Sequence, residues 1–337
     1  MTGHLHKKND TAHEVPMALI LPLWAFALLP LPLLLAALFW GAPPIALVSE
    51  LIGLISGKPF PARAARQMSR LALGGHVLFW LVIAACMALL FSHPLRQSEF
   101  VTGNSLLLIA ALALPFFGSL ALVGYDLSWK FARERKAIHF LLGCVANIPI
   151  KYGYWALAGL GLLYFRGVSL DSPAFLPPWG SALWPLMALW LPLSLCLAAA
   201  VGLCYLLLRR DADDWGRDYY RFAAPFLAKW HLVCGLIVLA VMVWLYASLK
   251  GIFNLHLPQI FNAGLASAAC LGLAMLLSLL VAVSENPMRF KVSMVGTAVL
   301  SLVHASMLLV AILETLNRYV PGWSVPTFMP DLLRLFG

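Results

Sequence analysis

Ionisable side chains inside long apolar stretches are costly to bury and mark sites of function. In this sequence they are His76, His139, Lys151, His231, His304 and Glu314. His76 sits in GGHVLFW, and His231 in KWHLVCG. Each lies about two helical turns inside an apolar run, roughly 10 Å from its basic end at 1.5 Å per residue. Two imidazoles at matched depth on different helices can supply the two axial nitrogens of a b-type haem, with the iron held through His76 and His231. Gly74 and Gly75 would let the macrocycle approach the backbone. The structural alternative is two unrelated buried histidines, each bonded to a carbonyl or a serine.

Lys151 is the most expensive of these groups, at the centre of CVANIPIKYGYW. Asn147, Lys151 and Tyr154 follow i, i+4, i+7 spacing and share one helix face. Such a face suits an anionic or carbonyl-bearing ligand, a quinone head group or a haem propionate. A lysine paired with Glu50 or Asp126 is the structural alternative. Thr297, Ser301 and His304 form a second polar stripe. It could line a quinone site or proton route leading to Glu314, place His304 at a second haem centre, or join helices. His139, beside Arg135 and Lys136, reads as a solvated residue at a helix mouth.

These residues need helices long enough to hold them in a bilayer. The chain is 62% hydrophobic and only 11% charged over 337 residues, far below the charge of a soluble domain. Runs of about 20 apolar residues occur at 17–40, 70–92, 105–126, 138–165, 181–208, 224–249, 260–284 and 290–316. The expected fold is an all-α integral membrane protein, a bundle of about eight transmembrane helices. A polar tail precedes it at 1–16, the helical domain covers 17–317, and a second tail covers 318–337. The pair Pro43–Pro44 is expected to break the first helix. Residues 41–57 then form either an interfacial helix or the second half of a long kinked span. Gly264, Ala268 and Gly272 suggest a face for close helix packing. No internal repeat is strong enough to argue inverted symmetry.

The basic residues set orientation. Of 23 lysines and arginines, fifteen fall in alternate connections, around 58–70, 130–136, 209–229 and 289–291. By the positive-inside rule those connections are cytoplasmic and both termini face the other side, in a bacterial inner membrane. The net charge of +9 therefore reads as topology and contact with membrane lipid, not nucleic acid. The stretch RRDADDWGRDYYRF reads as a solvated loop.

Several chemistries find no motif. All six cysteines lie in apolar runs without CxxC or CxxCH, so no covalent haem, iron–sulfur ligation or disulfide framework is indicated. Walker A, GxGxxG, HExxH and GxSxG patterns are absent. Nothing assigns catalysis to the chain alone. It reads as a non-catalytic or quinone-reactive subunit of an oxidoreductase complex.

Residues Arg66–Phe79, RQMSRLALGGHVLF, resemble the haem-bearing first helix of the large subunit of cytochrome bd quinol oxidases, in the spacing of arginine, histidine and Leu-Phe. The resemblance implies His76 as an axial haem ligand. The chain departs from that family in lacking the long quinol-binding loop and a GRQPW-type segment. Its charge pattern also puts His76 near the opposite membrane face, so oxygen reduction is not implied. In general character the chain is similar to the histidine-bearing multi-span subunits of bacterial respiratory and quinone-linked complexes. Those work with multihaem cytochromes or iron–sulfur proteins. The resulting expectation is a respiratory electron-transfer subunit binding b-type haem at His76, His231 and His304, quinone near Asn147, Lys151, Tyr154 and Ser301, or both. The alternatives are a cofactor-free anchor or proton-path subunit, and a transporter of a small anionic or lipidic solute.

Overall fold

A computed structural model describes residues 30–92, 103–131, 134–166, 176–250 and 253–319. The tail at 1–16, the start of the first expected span and nearly all of the tail at 318–337 lie outside the described residues. Eight long helices follow in order: α1 Pro30–Ser56, α2 Pro59–Ser92, α3 Ser105–Leu127, α4 Lys136–Arg166, α5 Leu183–Asp213, α6 Arg217–Leu249, α7 Pro258–Val283 and α8 Lys291–Tyr319. No strand occurs among the described residues. Seven of these helices are long and apolar enough to cross a membrane. The other, α4, carries Asn147, Lys151, Tyr152 and Tyr154, which lower its hydropathy. Its 31 residues still reach about 46 Å at 1.5 Å per residue.

The distribution of side chains is that of a multi-pass membrane protein. Large apolar groups face outward: Ile109 is 61% exposed, Leu141 60% and Val243 68%. Polar groups face inward, with His76, His231, Ser194, Ser278 and His304 at most 1% exposed. In lipid, burying leucine against leucine gains little, so helices associate through small residues and polar contacts. The seam between α1 and α5 follows that rule. Ala42 and Ala46 share one core cluster with Ala198 and Ala199, all fully buried. A Cβ on Gly41 would lie 2.1 Å from the Ser194 carbonyl oxygen, so only glycine permits this approach.

The paired prolines do not break the first helix. The α1 helix runs through Pro43 and Pro44, so 41–57 is the second half of a long span and not an interfacial helix. Proline lacks an N–H and leaves the carbonyl four residues back without its helical partner. Those carbonyls belong to Phe39 and Trp40. Both are satisfied from other helices: His76 Nε2 on α2 donates to the Phe39 oxygen at 2.9 Å, and Lys151 Nζ on α4 donates to the Trp40 oxygen. Tertiary hydrogen bonds replace the two that the prolines remove.

The order of helix neighbours repeats. The α1 helix packs along α2, and α3 along α4; α5 packs along α6, and α7 along α8. Contacts of α1 with α4 and of α2 with α3 recur as α5 with α8 and α6 with α7. The molecule is therefore two four-helix units joined across α1 and α5. The second unit repeats the order of helix neighbours of the first.

Two smaller expectations are also corrected. Gly264 and Gly272 face open space, while α7 packs through Ser267, Leu271, Ala274 and Ser278. The stretch RRDADDWGRDYYRF is not a solvated loop. It closes α5 and opens α6 through a tight turn, with positive φ at Asp214 and Gly216. Tyr219 is fully buried and donates to Gln67 Oε1 at 2.5 Å. Asp213 accepts from Gln67 and Arg209.

Candidate functional site

The repeat explains the matched depth of the two histidines. His76 lies on the second helix of its unit, and its Nδ1 meets Ser119 Oγ on the third at 2.7 Å. His231 lies on the second helix of the other unit, and its Nδ1 meets Ser278 Oγ on the third at 2.7 Å. A carbonyl can only accept, so Nε2 of His76 carries the proton given to Phe39. Ser301 donates its own proton to the Thr297 carbonyl at 2.7 Å, so Nε2 of His231 donates to Ser301 Oγ at 2.9 Å. The His231 ring then has its one donor and one acceptor both used, while at His76 the single Ser119 proton is contested between Nδ1 and the Pro115 carbonyl, each at 2.7 Å.

This arrangement does not fit a haem between His76 and His231. Iron would have to replace a serine hydroxyl at each Nδ1, and each Nδ1 points to a helix of its own unit. The Phe39 ring lies flat on the His76 imidazole, centroids 4.0 Å apart and 18° between planes. A Cβ on Gly75 would fall 2.5 Å from Leu38 Cβ, so the glycine admits α1, not a macrocycle; Gly74 opens on space. The structural alternative for these two histidines, a bond to a carbonyl or a serine, describes their surroundings. His304 differs. Its Nδ1 faces the Ser267 carbonyl at 3.0 Å, and its Nε2 is buried without a partner among the described residues.

The expected ligand face of α4 divides. Lys151 and Tyr154 come together against α1 and α5. Lys151 donates to the Trp40 carbonyl, and Tyr154 donates to the Met187 carbonyl. Asn147 donates to the Gly143 carbonyl at 2.9 Å and leaves a buried Oδ1 without a partner. Ser301 does not join them. It belongs to the His231 cluster on α8. Neither carboxylate suggested for Lys151 reaches it. Glu50 is bonded to Tyr125 and His139, Asp126 accepts from Ser69 at 2.7 Å, and no ion pair among the described residues includes Lys151.

What surrounds Lys151 is aromatic and rich in donors. Trp40 contacts Tyr154 at 6.4 Å, Trp190 at 5.8 Å and Phe79 at 5.5 Å between ring centroids. The indole Nε1–H of Trp40 is buried and has no acceptor among the described residues. Two hydrogen-bond donors, one of them an ammonium with a single carbonyl partner, thus stand in a wall of flat rings.

A third cluster escaped sequence reasoning. His139 is not solvated: it is 4% exposed, as is Glu50. Its Nδ1 lies 2.5 Å from Glu50 Oε1, and Tyr125 donates to Glu50 Oε2 at 2.6 Å. His139 Nε2 faces the Tyr125 carbonyl at 3.2 Å. Trp129 covers the imidazole with centroids 4.3 Å apart. The signal for it was Glu50, a lone carboxylate inside the apolar run PPIALVSELIGLI. Neither a protein-family model nor a curated protein matches this sequence.

Proposed function

We propose that the chain is the membrane subunit of a respiratory electron-transfer complex and binds a quinone head group beside Lys151. The observation that carries this reading is the pairing of the Lys151 ammonium, without a carboxylate, with the acceptor-less Trp40 Nε1–H. A buried unpaired donor costs about 1–3 kcal/mol, more when charged. A ligand that brings carbonyl oxygens removes that cost, and a planar ring stacks on the tryptophan and tyrosine walls. Lys151 and Tyr154 are part-buried, not sealed, which leaves a way in from the bilayer. The chain carries no redox motif of its own outside the membrane. The electron partner in this reading is therefore a separate multihaem cytochrome or iron–sulfur subunit. In this reading the end of the bundle that carries the basic connections faces the cytoplasm of a bacterial cell.

The test is photolabelling of the purified protein with an azidoquinone. Label is expected on peptides of α1 and α4, competed by unlabelled quinone and lost in Lys151→Met. Labelling that persists in that variant, or that maps away from both helices, refutes the site. If a small anion competes and quinone does not, the solute-transporter reading takes its place. A reduced-minus-oxidised spectrum tests the haem geometry separately. No b-type band dependent on His76 or His231 is expected, and such a band, lost on replacing either residue, overturns the rejection of haem there.

A further inference from the structure

At the basic end of the first unit, a cavity of about 480 Å³ lies between the α1–α2 turn, Trp129, the start of α4 and Trp215. Lys58, Arg63, Arg66 and Lys136 line it. The N-termini of α2 and α4, at Pro59 and Lys136, open on it as well. A helix N-terminus carries about half a positive charge and unpaired N–H groups, of which the first turn of α2 has few because Pro59 and Pro61 lack an N–H. The only acidic residue in the lining is Glu50, and its two oxygens are taken by His139 and Tyr125. Lys58, Arg66 and Lys136 make no ion pair among the described residues.

We propose that this cavity binds the phosphate of an anionic phospholipid headgroup. Cationic groups and helix N-termini that converge without a counter-charge are the chemistry that holds phosphate. The apolar surroundings select a lipid over a free anion. Leu54 lines the cavity, and Ile55 beside it is 80% exposed. On α4, Ile138 and Leu141 are each 60% exposed. Acyl chains can follow those two helix faces while the headgroup sits among the basic side chains.

The second unit holds the counterpart and shows why the first is the site. A cavity of about 670 Å³ lies between the α5–α6 and α7–α8 links, with Arg217 and Arg221 in its lining. Arg221 precedes His231 by the same interval that separates Arg66 from His76. There, however, the arginines are engaged. Arg217 donates to Asn286 at 2.5 Å, Arg221 donates to the Glu285 carbonyl at 3.0 Å, and Asp211 and Asp214 share the lining. In the first cavity Arg63 donates to the Trp215 carbonyl at 3.3 Å, while Lys58, Arg66 and Lys136 have no ion pair among the described residues and no carboxylate but Glu50 shares the lining.

Native mass spectrometry of the detergent-purified protein with added cardiolipin, phosphatidylglycerol or phosphatidylcholine tests this. The anionic lipids are expected to be retained in preference to phosphatidylcholine. Each basic residue near an anionic headgroup contributes about fivefold in affinity, so Arg66→Gln with Lys136→Gln should weaken retention about thirtyfold. Lys250→Gln, at the opposite end, should stay within about twofold of the parent. Should the double variant fail to fold, Lys136→Gln and Lys58→Gln, both at exposed positions, are each expected to lose about fivefold. Equal retention of phosphatidylcholine, or unchanged retention in these variants, overturns the proposal. So does displacement of cardiolipin by inorganic phosphate at equal phosphate concentration, which would make the ligand a free anion. Binding of polyglutamate that depends on Arg66, without retention of anionic lipid, would make it an acidic protein.

Discussion

The rescue of the Phe39 carbonyl by His76 can be tested by a double-mutant cycle on Pro43 and His76. In the parent, Pro43 gives Phe39 no helical N–H, and His76 Nε2 supplies the bond at 2.9 Å. Removing the imidazole with His76→Leu forfeits two cross-helix bonds. Measured bonds of that kind in membranes average about 0.6 kcal/mol and reach about 1.7. It also leaves the Phe39 carbonyl buried and unpaired, about 1–3 kcal/mol more. The total expected loss is about 2–4 kcal/mol. In a Pro43→Ala background, residue 43 has an N–H to give to Phe39, so only the lost cross-helix bonds remain. Because a carbonyl has two lone pairs, Pro43→Ala alone does not displace His76. The cycle should therefore show a coupling of about 1–2 kcal/mol. Reversible unfolding in SDS from detergent micelles, followed by tryptophan fluorescence, measures all four species. Coupling below about 0.3 kcal/mol would refute the idea that His76 is present to satisfy a proline-orphaned carbonyl.

Gly41→Ala puts a methyl group 2.1 Å from a backbone oxygen that cannot rotate away. The α1–α5 seam must open, and the same unfolding assay should record a loss of about 3 kcal/mol; a parent-like midpoint would contradict the close approach. His139→Ala removes the partner of Glu50 Oε1 and leaves that buried carboxylate only Tyr125, a loss of about 3 kcal/mol. Adding Glu50→Gln should recover most of it, and no recovery would mean that packing, not charge, dominates that cluster. Ser278→Ala removes the partner of His231 Nδ1 and should cost about 1 kcal/mol. Ser119→Ala should cost more, since Ser119 also accepts from Trp80 at 2.9 Å. Equal costs would show that the Trp80 bond adds nothing.

Much of the architecture was legible because hydropathy is a local property. From α3 onward the helices fall close to the apolar runs, but the first described helix is Pro30–Ser56 and not 17–40, and α2 begins at Pro59, eleven residues before its run, with Arg63, Arg66 and Arg70 on it. Pairings were harder to see, because they depend on which helix faces which. Pro43 and Pro44 looked like a break because the cost of a proline is local, while its remedy sits on α2 and α4. His139 looked solvated because Arg135 and Lys136 precede it. Yet α4 begins at Lys136, and one turn is enough to rotate His139 inward. Lys151 seemed to need an acid, but its recorded partner is a carbonyl that only the proline at position 44 leaves free. Ser301 was grouped with His304 along one face, whereas its imidazole partner comes from α6. The repeat was invisible because the two units share geometry and the His–Ser clasp but little residue identity.

The paired prolines also constrain how the chain is made. When α1 leaves the ribosome, its Phe39 and Trp40 carbonyls have no partners in their own helix. His76 arrives 37 residues after Phe39, and Lys151 arrives 111 residues after Trp40. At about 5–20 residues per second, the second gap lasts roughly 5–20 s. Bare carbonyls in hydrocarbon cost several kcal/mol each. The first helix is therefore poorly suited to settle alone in lipid during that interval. It is best sheltered at the insertion machinery until α4 emerges, so the first four helices enter the bilayer as one event and not in succession.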